Sequence, residues 1–265
     1  MSTTLKCKDI ALSIERLAPK GLAYEWDNVG LLCGDENAPV TKVLLTLDLD
    51  TGVVEEAIKE GAQMIIGHHP IMFEPINRVT AQTVEGRLLR MLIKNDISYY
   101  AAHTNLDVAK GGLNDLLAKK LGLKNVKILE YTDENGEGIG RTGDTEEPVT
   151  LKALCEKVKR ALGVDYVRFS GDADALVNHI AINTGGGTAL IEAALGAKAD
   201  VFITGDYKYA QVRHCAENGM KIIDVGHYDT EIIVCELFEQ YLSKQFAGAL
   251  EIVKTKENKN VMRFI

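Results

Sequence analysis

Cysteine is scarce in this sequence and lacks the spacing that a structural zinc site needs. An odd number of thiols with no CxxC pair argues against a zinc knuckle, and it predicts reduced thiols in the cytoplasm rather than a disulfide framework. The scattered positions are Cys7, Cys33, Cys155, Cys215 and Cys235.

Long apolar runs and clusters of positive charge are also missing. No stretch approaches the ~18 apolar residues of a membrane helix, and the N-terminus has no apolar signal core, so we expect no membrane association and no export. The formal net charge of -8 is spread along the chain without clustered Lys and Arg. Nucleic acid is therefore not expected as a partner.

What the sequence does contain is an alternation of apolar strand patterns and helical patterns in both halves. This alternation predicts an α/β fold with two similar lobes and mostly parallel sheets. Residues 131–148 are rich in Asp, Glu, Gly and Thr, which indicates a linker between lobes at residues 1–130 and 149–265. The C-terminus predicts a strand over 250–255, paired as a hairpin with a second strand over 261–265.

Four of the six histidines follow predicted strands. His68 and His69 come directly after the strand at residues 64–67, His103 follows the strand at 97–102, and His227 follows the strand at 221–225. Because parallel strands bring their carboxyl ends to one edge of a sheet, these side chains are expected to converge. The remaining histidines, His179 and His214, are expected to be structural or surface residues.

Carboxylates accompany these histidines at helical spacing. His227 and Glu231 lie four residues apart at the start of a predicted helix, and His103 and Asp107 have the same spacing. One such pair is more often a solvated face than a ligand pair. Imidazole together with carboxylate is, however, the ligand set of divalent transition metals and of two-metal sites.

Two further features favour structural roles over binding. The only tryptophan, Trp26, is interpreted as a core or interface anchor in preference to a residue that stacks on a ligand. The Gly-rich loop at residues 184–188 follows a strand and opens a helix, and tight strand-to-helix packing is favoured there over anion binding.

Five segments, in order along nearly the whole chain, resemble the motifs of the NIF-three-like dinuclear-metal family, whose members are commonly named GTP cyclohydrolase 1 type 2 homologues. They are Trp26-Asp27-Asn28-Val29-Gly30-Leu31, Gly67-His68-His69-Pro70, His103-Thr104-Asn105-Leu106-Asp107, Thr204-Gly205-Asp206 and Gly226-His227-Tyr228-Asp229-Thr230-Glu231.

The resemblance implies a dinuclear metal site in a cleft between two lobes, with Glu231 bridging the ions. It makes His103 a further ligand or a proton carrier, and therefore the candidate catalytic residue. It also implies ring-shaped homohexamers, and the short stretch at 131–148 predicts that no additional domain is inserted. The metal ligands that the resemblance implies are His68, His69, Asp107, His227 and Glu231.

Two functions follow from this reading. The first is a metal-dependent hydrolase whose metal-activated water attacks a nucleotide, a phosphoester or a cyclic amide, as the family name suggests for GTP. The alternative is a non-catalytic metal-binding protein that regulates or delivers metal. The two divalent ions are expected to be zinc, iron, manganese, cobalt or nickel, and the sequence does not distinguish among them.

Overall fold

Two α/β units make up the chain, and the computed structural model describes residues 4–133 and 136–263 of it. The first unit consists of Met1–Leu106 together with Val234–Ile265, and the second unit of Asp107–Ile233. The α/β class predicted from the alternating patterns is confirmed.

The first unit contains a five-stranded sheet with the strand order β1-β4-β3-β2-β11. Strands β2, β3, β4 and β11 run parallel, and β1 pairs with β4 in the antiparallel direction. The elements are α1 (Cys7–Leu17), a 3-10 turn (Lys20–Leu22), β1 (Gly30–Cys33), β2 (Lys42–Leu45), α2 (Thr51–Glu60), β3 (Met64–Gly67), α3 (Val84–Lys94), β4 (Ser98–Ala101), α4 (Thr104–Val108), α10 (Val234–Gln245) and β11 (Glu251–Lys254).

Local signals fix where these elements begin and end. Asp50 caps α2 by accepting a hydrogen bond from the amide of Val53 at 2.8 Å, and Gly61 ends the helix in the left-handed conformation with φ of 68°. All residues of β3 are buried, as in a parallel strand covered on both faces. The predicted strand at residues 64–67 is confirmed.

The second unit contains a six-stranded sheet with the order β5-β6-β8-β9-β10-β7. Strands β8, β9 and β10 are parallel, whereas β5, β6 and β7 join by antiparallel pairing, so this sheet is mixed where a mostly parallel one was expected. The elements are α5 (Leu113–Lys120), β5 (Lys124–Tyr131), β6 (Gly138–Thr150), α6 (Leu151–Leu162), β7 (Arg168–Ser170), β8 (Leu176–Ile182), a 3-10 turn (Gly187–Leu190), α7 (Ile191–Gly196), β9 (Val201–Thr204), α8 (Tyr209–Glu217), β10 (Lys221–Asp224) and α9 (His227–Glu231).

The linker expected over residues 131–148 differs from what the structure contains. From Gly138 onward this segment belongs to β6, which pairs with β5 on one side and with β8 on the other. The buried side chain of Arg141 donates to Asp115 and to the carbonyl groups of Gly138 and Gly140. Strand pairing and this buried guanidinium order a segment whose polar composition suggested an exposed connection. The units change at residues 106/107 and 233/234 instead.

The C-terminal segment returns to the first unit. Strand β11 pairs in parallel with β2, with Ile252 opposite Val43, so it satisfies backbone groups that would otherwise lie at the edge of the sheet. The hairpin predicted with residues 261–265 is not present over 261–263, which form no strand, and residues 264–265 lie outside the described part. Within residues 4–133 and 136–263, no helix has both the length and the apolar character to cross a membrane.

Candidate metal centre

Three histidines of the first unit lie together where β3 and β4 end. His68 and His69 follow the last residue of β3, and His103 comes two residues after the end of β4. One ring nitrogen from each lies within 4.8 Å of the others, which is close enough for a shared ion. The ring centroids are 5.1 to 5.4 Å apart. We call these residues the imidazole cluster.

Each ring of the imidazole cluster is held through its Nδ1 atom by an oxygen. His68 Nδ1 lies 2.8 Å from the carbonyl oxygen of Ala102, and His69 Nδ1 lies 2.7 Å from Oδ1 of Asp48. His103 Nδ1 lies 2.9 Å from Oδ1 of Asp27.

A carbonyl or an ionised carboxylate only accepts, so in the neutral ring Nδ1 carries the proton and donates. The Nε2 atom then keeps its lone pair. This is the tautomer that a metal-binding histidine requires, and the oxygen partner fixes the orientation of the ring.

Asp27 is the most strongly bonded of these oxygen partners. Burial by itself would raise the pKa of Asp27, but hydrogen bonds from His103 and Thr104 outweigh it and lower the pKa to about 2. The backbone amide of Thr104 donates to Oδ2 at 3.0 Å, and its hydroxyl donates to the same oxygen. Asp27 is therefore a carboxylate that fixes both the His103 ring and the start of α4.

The backbone below the adjacent pair is also fixed. The hydroxyl of Tyr99 donates to the carbonyl oxygen of His69 at 2.6 Å. A Cβ atom at Gly67 would lie 2.2 Å from that hydroxyl oxygen, so the residue before the two histidines has to be glycine. This close approach lets β3 turn immediately after Gly67 and present both rings at the strand end.

The second unit holds the carboxylates of the predicted ligand set. Asp107 and Glu231 are buried, and each offers a carboxylate oxygen within 4.8 Å of the other. The Thr184 hydroxyl donates to Oδ1 of Asp107 at 3.3 Å, and the side-chain amide of Asn114 donates to the Asp107 carbonyl oxygen at 3.0 Å. Two buried acids this close repel each other unless a cation or a proton lies between them.

His227 stands beside Glu231 in the same unit. Its Nε2 atom lies 3.1 Å from Oε2 of Glu231, and its Nδ1 atom lies 2.8 Å from Oδ2 of Asp206. The hydrogen bond to Glu231, reinforced by the charges of Glu231 and Asp206 and opposed by burial, raises the pKa of His227 to about 9. Because its Nδ1 atom contacts Asp206, His227 has the same Nδ1-to-oxygen arrangement as the imidazole cluster.

The Gly-rich loop at 184–188 makes room for Glu231. Gly185 has φ of +68°, and a Cβ atom there would lie 2.0 Å from Oε1 of Glu231. The amides of Gly185 and Gly187 donate to the hydroxyls of Thr230 and Thr204 at 2.8 and 2.9 Å. Because these amides face protein oxygens, the loop has the packing role favoured from the sequence.

The six residues predicted for the site thus fall into two groups, three imidazoles in the first unit and Asp107, His227 and Glu231 in the second. The other two histidines pair with acids elsewhere, His179 with Asp144 and His214 with Glu192. Sequence reasoning missed the oxygen partners of the imidazoles. A signal existed for two of them, since Asp27 and Asp206 lie within recognised motifs, whereas Asp48 lies outside all five motifs.

The core position that the sequence allowed for Trp26 is wrong, whereas its role as an interface anchor stays a prediction. Its side chain is 59% exposed, and its ring stacks against Tyr24 at a centroid distance of 5.9 Å. The adjacent Asp27 is the residue that points inward. In the Trp26-Asp27 pair, the acidic side chain is therefore buried and the aromatic ring lies at the surface.

Comparison with known proteins identifies the family. The model of the Duf34/NIF3 (NGG1p interacting factor 3) family matches residues 5–261, so the chain belongs to this family. The membership predicted from the five sequence motifs is confirmed.

Relatives cover the full length of the chain. It is 37% identical over 262 residues to a Clostridium perfringens protein called GTP cyclohydrolase 1 type 2 homolog, covering 98% of this chain and 100% of the relative. A Bacillus cereus protein related to NIF3 has a similar structure, with a TM-score of 0.92, 27% identity and full coverage of both chains. The structure of a Staphylococcus aureus hypothetical protein is also similar, with a TM-score of 0.90 and 30% identity, and the match covers 99% of this chain and 100% of that one.

Proposed function

We propose that this protein is a metal-dependent hydrolase that binds two divalent metal ions. The observation that carries the proposal is the common orientation of the histidines. Each Nδ1 atom of the imidazole cluster contacts an oxygen, and one ring nitrogen from each histidine lies within 4.8 Å of the others, a spacing at which the three rings could hold one ion.

The proposed metal ligands are imidazoles and carboxylates, a mixture of ligand types that suits zinc, iron, manganese, cobalt or nickel. Asp107 and Glu231 would supply the carboxylate ligands, because both are buried and offer oxygens within 4.8 Å of each other. The proposed ligands are His68, His69, Asp107, His227 and Glu231.

Two bound ions would lower the pKa of a coordinated water toward ~7 and polarise the bond under attack. His103 is proposed to move a proton at its Nε2 atom or to serve as a further ligand. Asp27 holds the opposite nitrogen, so the ring can accept a proton at Nε2 without losing its orientation. The buried Asp107 and Glu231 carry the negative charge that attracts the cations.

The substrate is proposed to be a small molecule, either a nucleotide, a phosphoester or a cyclic amide. The relatives' name, GTP cyclohydrolase 1 type 2 homolog, supports a nucleotide first. A homohexameric assembly is proposed with it, on the basis of the sequence resemblance. The described cysteines are all free, which supports a reducing compartment such as the cytoplasm.

The test is anaerobic purification of the parent and of three variants, followed by elemental analysis and a substrate screen. We expect about two ions per chain in the parent and a loss of at least one ion in His68→Ala and in Glu231→Gln. His214→Ala is the matched control, because His214 pairs with Glu192 on the surface.

Three outcomes separate the possibilities. Metal content that is equal in all four proteins contradicts the metal assignment. Turnover of a nucleotide, phosphoester or cyclic amide that requires the metal supports the hydrolase. Stoichiometric metal without turnover of any of these contradicts catalysis and supports the alternative of a regulatory or metal-delivery protein.

A further inference from the structure

A group of exposed aromatic rings adjoins the imidazole cluster. The centroid of Trp26 lies 5.9 Å from that of His103 and 6.1 Å from that of Phe73. Phe73 is itself 5.7 Å from His103. Trp26 and Phe73 remain 59% and 49% exposed. We call these two residues the aromatic platform.

The aromatic platform is held in place by the polar residues that follow Trp26. Asp27 bonds to His103, and the side-chain amide of Asn28 donates to the carbonyl oxygen of Met72 at 2.8 Å. The first contact fixes the position of Trp26 and the second ties its loop to the residue before Phe73. The rings are therefore presented by a bonded framework, although they bury only about half of their surface.

Such an arrangement calls for an explanation beyond packing. Large aromatic rings gain most from burial, and a contiguous exposed pair is more informative than single exposed apolar residues. Here the exposed pair contacts the ring whose Nε2 atom belongs to the imidazole cluster. A flat ring seated on the platform would therefore stack on side chains whose centroids lie 5.9 Å (Trp26) and 5.7 Å (Phe73) from that of His103.

We propose that the aromatic platform binds the planar nitrogen heterocycle of the substrate by stacking, next to the imidazole cluster. This inference rests on the proposed function, because it defines the substrate class of the same site as one that carries a nucleobase-like ring. Aromatic side chains stack with any such ring through its π-face, and hydrogen-bond donors near the cluster are not needed for this part of the recognition.

The only tryptophan of the chain is part of the platform, so its fluorescence reports on this site alone. The zinc-loaded protein is titrated with guanosine 5′-monophosphate and, as the matched ligand without a ring, ribose 5-phosphate. We expect the nucleotide to quench the fluorescence of Trp26 and to bind at least about tenfold more tightly than ribose 5-phosphate, because of base stacking.

Variants separate stacking from folding. Calorimetry is used for them, since Trp26→Leu carries no tryptophan. Trp26→Leu and Phe73→Leu are each expected to lose roughly 10- to 100-fold in nucleotide affinity while ribose 5-phosphate binding stays unchanged. Trp26→Phe should recover part of the loss. Phe169→Leu, which removes a 46% exposed ring from β7, should bind like the parent.

Several results would overturn the proposal. One is the absence of nucleotide binding at millimolar concentration. Another is a ratio of nucleotide affinity to ribose 5-phosphate affinity that is the same in the parent and in Trp26→Leu. A third is an unchanged nucleotide affinity in Trp26→Leu with a changed particle mass by light scattering, which would make the platform an interface with a second copy of this chain.

Failure of this inference is distinguishable from failure of the hydrolase proposal. Nucleotide binding that depends on Trp26 without any turnover would leave the platform standing and contradict the hydrolase. Metal-dependent turnover with the same KM in parent and Trp26→Leu would support the hydrolase and contradict the platform.

Discussion

The Nδ1 atom of His103 lies 2.9 Å from Oδ1 of Asp27, and this contact joins the imidazole cluster to the loop that carries Trp26. The other oxygen of the same carboxylate accepts a hydrogen bond from the backbone amide of Thr104 at 3.0 Å. One buried acid therefore orients a candidate catalytic ring, caps a short helix and places Trp26 at the surface.

Replacing Asp27 with asparagine should weaken metal binding without removing any proposed ligand. The amide keeps one acceptor in place of two, so it cannot serve both His103 and the amide of Thr104. We expect the affinity for the first metal ion to fall about 10- to 100-fold, as measured by competition with a chromogenic chelator.

The matched control is Asp96→Asn. Asp96 is exposed and has φ of 51°, a conformation that asparagine adopts readily, so this variant should bind metal like the parent. Equal metal affinity in Asp27→Asn and the parent would contradict an orienting role for the carboxylate.

Asp27 should also contribute to the acid sensitivity of the protein. Its pKa is about 2 in the folded state, below the value of about 3.9 for an exposed aspartate, so the ionised form stabilises the fold. This contribution is fully present above pH ~4 and is lost as the pH falls toward 2, and it amounts to at most about 3 kcal/mol.

The measurement is urea unfolding of the chelator-treated protein between pH 6 and pH 2.5. The free energy of unfolding of the parent should fall more steeply below pH 4 than that of Asp27→Asn, which has no carboxyl to protonate. Parallel curves for the two proteins would contradict the assignment of the low pKa to Asp27.

Gly185 should not tolerate a side chain. Alanine there would adopt φ of +68° and place its Cβ atom 2.0 Å from Oε1 of Glu231. We expect the free energy of unfolding to fall by about 2 kcal/mol or more, since left-handed backbone alone destabilises alanine by roughly 1 to 2 kcal/mol.

Gly196→Ala is the matched substitution. No atom lies within 4 Å of a Cβ at this position, and Gly196 ends helix α7, so alanine should be neutral or stabilising by up to about 1 kcal/mol. Both variants are compared by thermal and urea denaturation. A similar stability for the two would show that Glu231 can move away from the loop.

Two adjacent buried tyrosines should respond oppositely to removal of their hydroxyl groups. The hydroxyl of Tyr99 donates to the His69 carbonyl oxygen, whereas that of Tyr100 is buried with no hydrogen-bond partner among the described residues. Tyr99→Phe should lower the free energy of unfolding by about 1 to 2 kcal/mol.

Tyr100→Phe should leave the free energy of unfolding unchanged or raise it, because an unsatisfied buried polar group is removed. Urea denaturation of both variants provides the measurement. A larger loss in Tyr100→Phe than in Tyr99→Phe would contradict the hydrogen-bond assignment at His69.

Much of the site was predictable because its residues follow strands with clear apolar patterns. The strand before His68 and His69 has the predicted bounds, and His227 opens the predicted helix that also carries Glu231. Which oxygen pairs with which ring was not predictable. Asp27 lies 76 positions from His103, and nothing in local spacing connects two residues so far apart.

The antiparallel part of the second sheet was missed for a related reason. The sequence of β6 contains glycine, threonine and charged residues, and its own propensity for a strand is weak. It is ordered by partners on both sides, β5 and β8. The return of β11 to β2 likewise depends on pairing between residues about 200 positions apart, which no window of sequence reveals.

The sequence by itself determined the α/β class and the family, because alternating apolar patterns and short motifs are local features. Histidines at strand ends and the family resemblance together proposed the six residues of the candidate site. Tertiary structure alone decided which nitrogen of each ring is held, why Gly185 must lack a side chain, and that Trp26 faces outward. These depend on distances between atoms of remote residues, and hydrogen-bond and steric energies act only at those distances.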